Sequence, residues 1–306
     1  MALYTSDMTS LYTQRDSNVR KTWVLMGGFL IVVILVGLSV SWYFNNQFIL
    51  YIAVAFALVM NLGAYWYSDK VAIAAAGAKE ADEDAYKELH RIVENLAITA
   101  GMPKPRVYVI EDPAPNAFAT GRNPEHSAIA VTSGLLGRLE RSELEGVIAH
   151  ELSHINNRDI LVMTVAVVLV GFVSVIADLF LRMSLFGGGG NDNRGSNPLL
   201  LIGAVVAIII APIAAQLMHL AISRKREFLA DASGSLLTRY PEGLAVALEK
   251  ISTYGGKMKR ANHATAHLFI SDPFGPRASR FIGKLFATHP PVEERVAALR
   301  GLRFSD

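Results

Sequence analysis

The sequence predicts a mainly α protein with a small β-sheet, comprising four transmembrane helices and a polar domain built from two chain segments. Three observations carry this expectation. Hydrophobic residues make up 52% of the 306 and charged residues only 18%, against roughly 25% charged in an average soluble protein. The apolar residues gather in four long runs. Two polar stretches, after the second run and after the fourth, show helical and strand periodicity of their own. The net charge of +2 gives no electrostatic reason to expect a nucleic-acid partner. The chain has no cysteine, which excludes disulfides, thiolate nucleophiles and every thiolate zinc site. Any metal must be held by His and carboxylates.

Residues 1–21 form a polar cytoplasmic tail. Residues 22–44 and 48–67 carry no charge, and each is about as long as the ~20 residues that cross ~30 Å of hydrocarbon. Joined by Asn45, Asn46 and Gln47, they make a first hairpin, 22–67. Residues 160–181 and 198–222 make a second, 160–222, around a glycine-rich turn. The first run is longer than a signal-peptide core, follows a polar leader and lacks a small-residue cleavage site, so removal as a signal is not expected. Orientation follows from Lys and Arg beside the spans. Arg15, Arg20, Lys21, Lys70, Arg224, Lys225 and Arg226 outnumber Arg182 and Arg194 at the other turns. Both termini and both polar segments are expected in the cytoplasm. Asp178, inside the third run, draws notice as an intramembrane carboxylate, but its spacing to Arg182 favours an interfacial ion pair. Pro212 is placed to kink the fourth run.

The first polar segment, 69–159, reads as a helix over 84–100, with Leu89, Ile92, Val93 and Leu96 at helical spacing. Strands follow at 106–110 and 128–132, with 112–125 read as a loop because of Pro113, Pro115, Gly121 and Pro124. A helix then starts at Ser142, whose spacing to Glu145 fits a capping box. The second polar segment, 223–306, holds helical patterns at 226–238, 242–253 and 292–299, and a less regular stretch at 254–287.

The helix starting at Ser142 carries His150, Glu151 and His154, the pattern H-E-x-x-H. Four residues advance a helix by ~40° beyond a full turn, so both imidazoles leave one face and can grip one ion. Glu151 is the adjacent candidate base. Beyond the fourth run, Glu227 can complete a His, His, Glu zinc site that leaves one position for water. Asp231, four residues on, is spaced to accept a hydrogen bond from a ligating imidazole and fix its tautomer. The 73 residues between His154 and Glu227 (227 minus 154) are mostly a membrane hairpin that returns to the face it left. His90, His126, His219, His263 and His267 have no ligand-type spacing tied to this site.

These residues, with Asn116, Ala117, Phe118 and Ala119 upstream and Thr288, His289, Pro290, Pro291 and Arg295 downstream, resemble the HtpX family of bacterial membrane zinc metalloproteases, relatives of the CAAX prenyl endopeptidases. The resemblance covers most of the chain. It implies a gluzincin-like catalytic core on the cytoplasmic side, one zinc ion, and a role in membrane-protein quality control, with misfolded membrane proteins as substrates and quality-control proteins as partners. In this setting Glu151 takes the proton of the attacking water and returns one to the leaving amine. His289 and Arg295 are candidate donors to the scissile carbonyl, and residues 116–119 are candidates to pair with an extended peptide as an added strand. Residues 254–287 are a candidate lid. Two further readings stand beside this one: a processing protease with one defined substrate, and a zinc-stabilised membrane scaffold, which the base at Glu151 disfavours.

Overall fold

The computed structural model describes residues 2–169, 171–172, 224–261, 265–275 and 290–302. The remainder of the third run, the whole fourth run, Asp178, Arg182, Pro212, His219, His263, His289 and part of the candidate lid fall outside the described residues. Helices α1 (Ala2–Tyr43) and α2 (Gln47–Ala76) form the first hairpin, with the Asn46 side chain accepting the Phe48 N–H at the start of α2. Among the described residues these two helices are long and apolar enough to cross a membrane, the qualifying stretches spanning 29 and 30 residues. Large apolar side chains face outward along both, Trp42 being 84% and Phe48 66% exposed. At ~1.5 Å per residue α2 is about 45 Å long, more than a ~30 Å hydrocarbon layer.

The surplus length connects the two parts of the molecule. Helix α2 does not stop near residue 67; its alanine-rich end continues to Ala76 and closes on a left-handed Gly77, as strong helix formers followed by a glycine should. Ala72 and Ala76 there pack with Ile110, Phe118 and Ala130 of the sheet, and Asp69 accepts a 2.6 Å hydrogen bond from Arg106.

The sheet has four strands in the order β1-β2-β4-β3: β1 (Lys79–Glu80), β2 (Arg106–Ile110), β3 (Ala117–Asn123) and β4 (His126–Thr132). It is mixed, with β2 and β4 parallel and the other pairs antiparallel. One expectation is overturned: the stretch 112–125, which reads as a loop, contains β3. Strand β1 lies where the sequence pattern offers no strand signal. Residues 117–121 are buried in succession, so β3 shows none of the in-out alternation that marks a half-exposed strand. Gly121 is not a breaker but the site of a register shift, at φ 139° and with no room for a Cβ against the His126 carbonyl.

Helix α3 (Lys87–Thr99) covers the sheet beside α5 (Arg141–Asn156), after the short α4 (Ser133–Leu136). Helix α5 begins earlier than the expected Ser142, and the capping box lies two residues before the expected pair. The Glu140 N–H donates to the Glu143 carboxylate, which Lys250 also holds at 2.7 Å. Glu145 instead pairs with Arg141. Helix α6 (Asp159–Leu169) opens the third run and packs Leu161, Val165 and Leu169 against Leu25 and Phe29 of α1 and Ala64 of α2. Helices α7 (Arg224–Thr238), α8 (Pro241–Ser252) and α9 (Val292–Gly301) complete the described fold, with a 3-10 turn at Ala266–Leu268. Leu144, Val147, Ile148, Leu152 and Ile155 of α5 share one core with the sheet, α3, α8 and α9.

Candidate metal centre

Helix α5 is buried almost throughout, so its polar residues are held by packing on every side. Helix α7 crosses it closely because Gly234 lacks a side chain; a Cβ there would lie 2.9 Å from the His150 backbone nitrogen. Glu227 and Asp231 precede Gly234 by seven and three residues, so the helical repeat puts all three on the face that meets α5. Helix–helix approach and ligand placement are therefore set by one stripe of α7.

His150, His154 and Glu227 are all buried, and among the described residues they are the group whose donor atoms converge as a metal would require. The two Nε2 atoms are 3.1 Å apart, and the Glu227 carboxylate oxygens lie 3.5 Å from His154 Nε2 and 3.8 Å from His150 Nε2. Tetrahedral Zn²⁺ with ligands at 2.0–2.2 Å needs donor separations of about 3.3 Å, so these residues fit the ion with almost no movement.

Each imidazole has a carboxylate behind it. Asp231 Oδ1 lies 2.9 Å from His150 Nδ1, and Asp159 Oδ2 lies 3.0 Å from His154 Nδ1. With each Nδ1–H donated to a carboxylate, each Nε2 lone pair faces the ligand cluster. The sequence singled out Asp231 for this position. It offers no signal for Asp159, five residues beyond His154. Arg158 between them is left-handed, φ 59°, and that turn brings Asp159 back onto the imidazole.

Burial is the main cause of two shifts. It pushes Glu151 up to about 7, with the Glu227 charge adding to it, and it brings His150 down to about 4. His154 goes the other way: burial would lower it, but the Asp159 hydrogen bond and the Glu227 charge together hold it up. A dication among these groups favours the ionised Glu151 and the neutral His154. The Ala119 backbone faces the Glu151 carboxylate and works against its upward shift, which puts the candidate base beside β3.

Arg295, expected as a donor to substrate, is fully buried and directs its guanidinium at Asp231, Nε to Oδ2 at 2.8 Å and Nη2 to Oδ1 at 2.6 Å. Nη1 reaches within 3.8 Å of Glu227. Nη2 also lies 3.5 Å from His150 Nδ1, but that nitrogen carries the hydrogen given to Asp231, so the approach is not a hydrogen bond. Asn116 and Ala117 sit at the sheet's edge, as an added substrate strand would need. Their polar groups already have partners: the Ile270 N–H donates to the Ala117 carbonyl, and the Asn116 carboxamide donates to the Ser271 carbonyl and accepts its N–H. Phe118 stacks edge-on with Phe269, 5.0 Å between centroids. The described part of the candidate lid is thus seated against β3. A cavity of about 660 Å³ lies beside it, lined by Asn116, Tyr254, Met258, Ser271, Pro291 and Arg295 among others. His90, His126 and His267 bond to Ala81, Asn123 and Met163 respectively, away from the centre.

The model of peptidase family M48 matches residues 83–303. The chain is 48% identical over 300 residues to an HtpX protease homologue of Caldanaerobacter subterraneus subsp. tengcongensis, covering 96% of this chain and 98% of that one. It is 48% identical over 283 residues to one of Pyrococcus furiosus, covering 91% and 95%. Its fold is similar to the crystal structure of Ste24p from S. mikatae, with a TM-score of 0.51 and 21% identity over 95% of this chain and 67% of that one.

Proposed function

The chain belongs to peptidase family M48 as an HtpX homologue, a membrane zinc metallopeptidase, and from that premise we propose that it hydrolyses unfolded or damaged membrane proteins at the cytoplasmic face of the bacterial inner membrane. The observation that carries this reading is the continuity of α2, which runs from an outward-facing apolar stretch straight onto the sheet that flanks Glu151. Chemistry is thereby held within a few helical turns of the lipid surface. Four spans, 22–44, 48–67, 160–181 and 198–222, would place the two polar segments 69–159 and 223–306 on the same side, as the Lys and Arg count favours.

His150, His154 and Glu227 would hold the zinc ion, which when bound would supply Lewis acidity and lower the pKa of water toward neutrality. Glu151, buried and next to the cluster, takes the water proton and passes a proton to the leaving amine. Asp231 and Asp159 hold the two imidazoles in the tautomer that turns Nε2 inward. Arg295 acts through Asp231 as a positioning residue, since its donors are engaged there. His289 remains the candidate donor to the scissile carbonyl. An extended substrate would pair with the β3 edge at residues 116–119 through its backbone, a mode that tolerates varied side chains. The 270–271 segment has to yield there first.

The test compares purified wild-type protein with Glu151→Gln, measuring zinc content and hydrolysis of an unfolded protein. Zinc retained with hydrolysis down by about 10²–10⁴ is the expected result; equal hydrolysis removes the assignment. Profiling cleavage across a peptide library separates broad clearance from processing of one defined substrate.

A further inference from the structure

We infer that Asn18, on the first apolar helix, is a positioning residue for the zinc ligand His154 and acts through Asp159. The side chain of Asn18 is completely buried. Its Nδ2 donates 2.6 Å to Asp159 Oδ1 and 2.9 Å to the Asn157 carbonyl. Both partners are acceptors, which fixes the orientation of the carboxamide. Asp159 accepts from Asn18 on one oxygen and faces His154 Nδ1 with the other. Asn18 thus grips both ends of the turn, Asn157 and Asp159, that carries left-handed Arg158. Arg226 of α7, 3.5 Å from the same Asp159 oxygen, closes the surroundings of that carboxylate.

A carboxylate behind a ligating imidazole sets the ring's orientation and basicity, and whatever locks the carboxylate is transmitted to the metal. Here the lock comes from a helix that precedes the matched family region, which begins at residue 83. The seating of α1 against α6 is consequently read at the metal centre, and loosening it loosens zinc.

The inference rests on His154 being a zinc ligand, and the experiment separates the two. Full-length protein in detergent is prepared as wild type, Asn18→Ala, Asn18→Leu, Asp159→Asn, the Asn18→Ala/Asp159→Asn double variant and His154→Ala. Thr22→Val is the control, one turn along α1, where the hydroxyl bonds only the Asn18 carbonyl of its own helix. Zinc transfer to a chromogenic chelator and the visible spectrum of the Co²⁺-loaded protein are read, with helix content alongside. Zinc retention should fall about tenfold in both Asn18 variants and at least as far in Asp159→Asn. The double variant should match Asp159→Asn alone, because the two act along one chain of contacts. Asn18→Leu keeps the buried volume and serves if Asn18→Ala folds poorly. Wild-type zinc retention and Co²⁺ spectrum in either folded Asn18 variant, an equal loss in Thr22→Val, or losses that multiply in the double variant would overturn the inference. Full zinc retention in His154→Ala would instead overturn the ligand assignment beneath it.

Discussion

Arg295 and Asp231 meet through two hydrogen bonds, at 2.8 and 2.6 Å, with neither side chain reaching solvent. The same Asp231 carboxylate lies 2.9 Å from a ring nitrogen of His150, so α9 reaches a zinc ligand through one intermediate. Removing one partner of a buried ion pair costs about 3–5 kcal/mol, because the other charge is left uncompensated. Arg295→Ala should lower stability by about that amount and reduce zinc content. Arg295→Lys should fall between, since an ammonium cannot reproduce the two-pronged contact. Thermal unfolding and zinc analysis of both variants check this; unchanged values in Arg295→Ala contradict the positioning role.

Gly234 gives a second, independent prediction. A Cβ there would press on the backbone of Ala149 and His150 at 2.9–3.1 Å, atoms inside a packed helix that cannot give way. Gly234→Ala should cost about 1–3 kcal/mol through overpacking, despite the gain in helix propensity of up to ~1 kcal/mol. It should also push Glu227 away from the imidazoles and weaken zinc binding. Gly146→Ala meets Leu244 of α8 at 2.6 Å instead, so it should destabilise with a smaller loss of zinc affinity. Equal zinc affinities in the two variants would separate the helix crossing from ligand placement.

The zinc-binding residues were legible in the sequence because helical spacing is a local property: His150 and His154 share a face at four residues' separation, and so do Glu227 and Asp231. The strand β3 was not, because its residues are buried on both faces and its glycine marks a bulge rather than an end. The lengths of α2 and α5 were underread for a related reason. Ala72 and Ala76 belong to the sheet's core, and the Glu143 that caps α5 is pinned by Lys250, 107 residues away. Nor could any spacing rule bring Asn18 to Asp159, 141 residues apart, or Arg295 to Asp231, 64 apart.

The seating of α9, which carries Arg295, should depend on pH at its outer end. Arg300 there donates to Glu242 and Glu249 of α8 at 2.8 Å each. The hydrogen bond from Arg300 holds the Glu242 carboxyl below its ordinary value. A depressed folded value means the contribution is complete above the unfolded carboxyl's pKa of about 4.3. It is lost as the pH falls through the folded value. These groups are exposed, so the effect is small and screened by salt. Arg300→Gln should therefore melt below wild type at neutral pH and low salt, with the gap closing in acid and in high salt. A gap that stays constant under both conditions would mean the contact acts through packing rather than charge.

Removing the metal separates the ligands from the base. Zinc binds only the folded arrangement of His150, His154 and Glu227, so it stabilises by RT ln(1 + [Zn]/Kd), about 4 kcal/mol at a thousandfold excess over Kd. A chelator should lower the melting temperature of the wild-type protein, and added zinc should restore it. His150→Ala and Glu227→Gln remove donors from the converging set and should abolish the response. Glu151 contributes no donor to that set, so Glu151→Gln should keep the full zinc-dependent rise while losing hydrolysis. If the rise vanishes with Glu151→Gln as well, Glu151 contributes to holding the ion and its assignment as the proton acceptor fails.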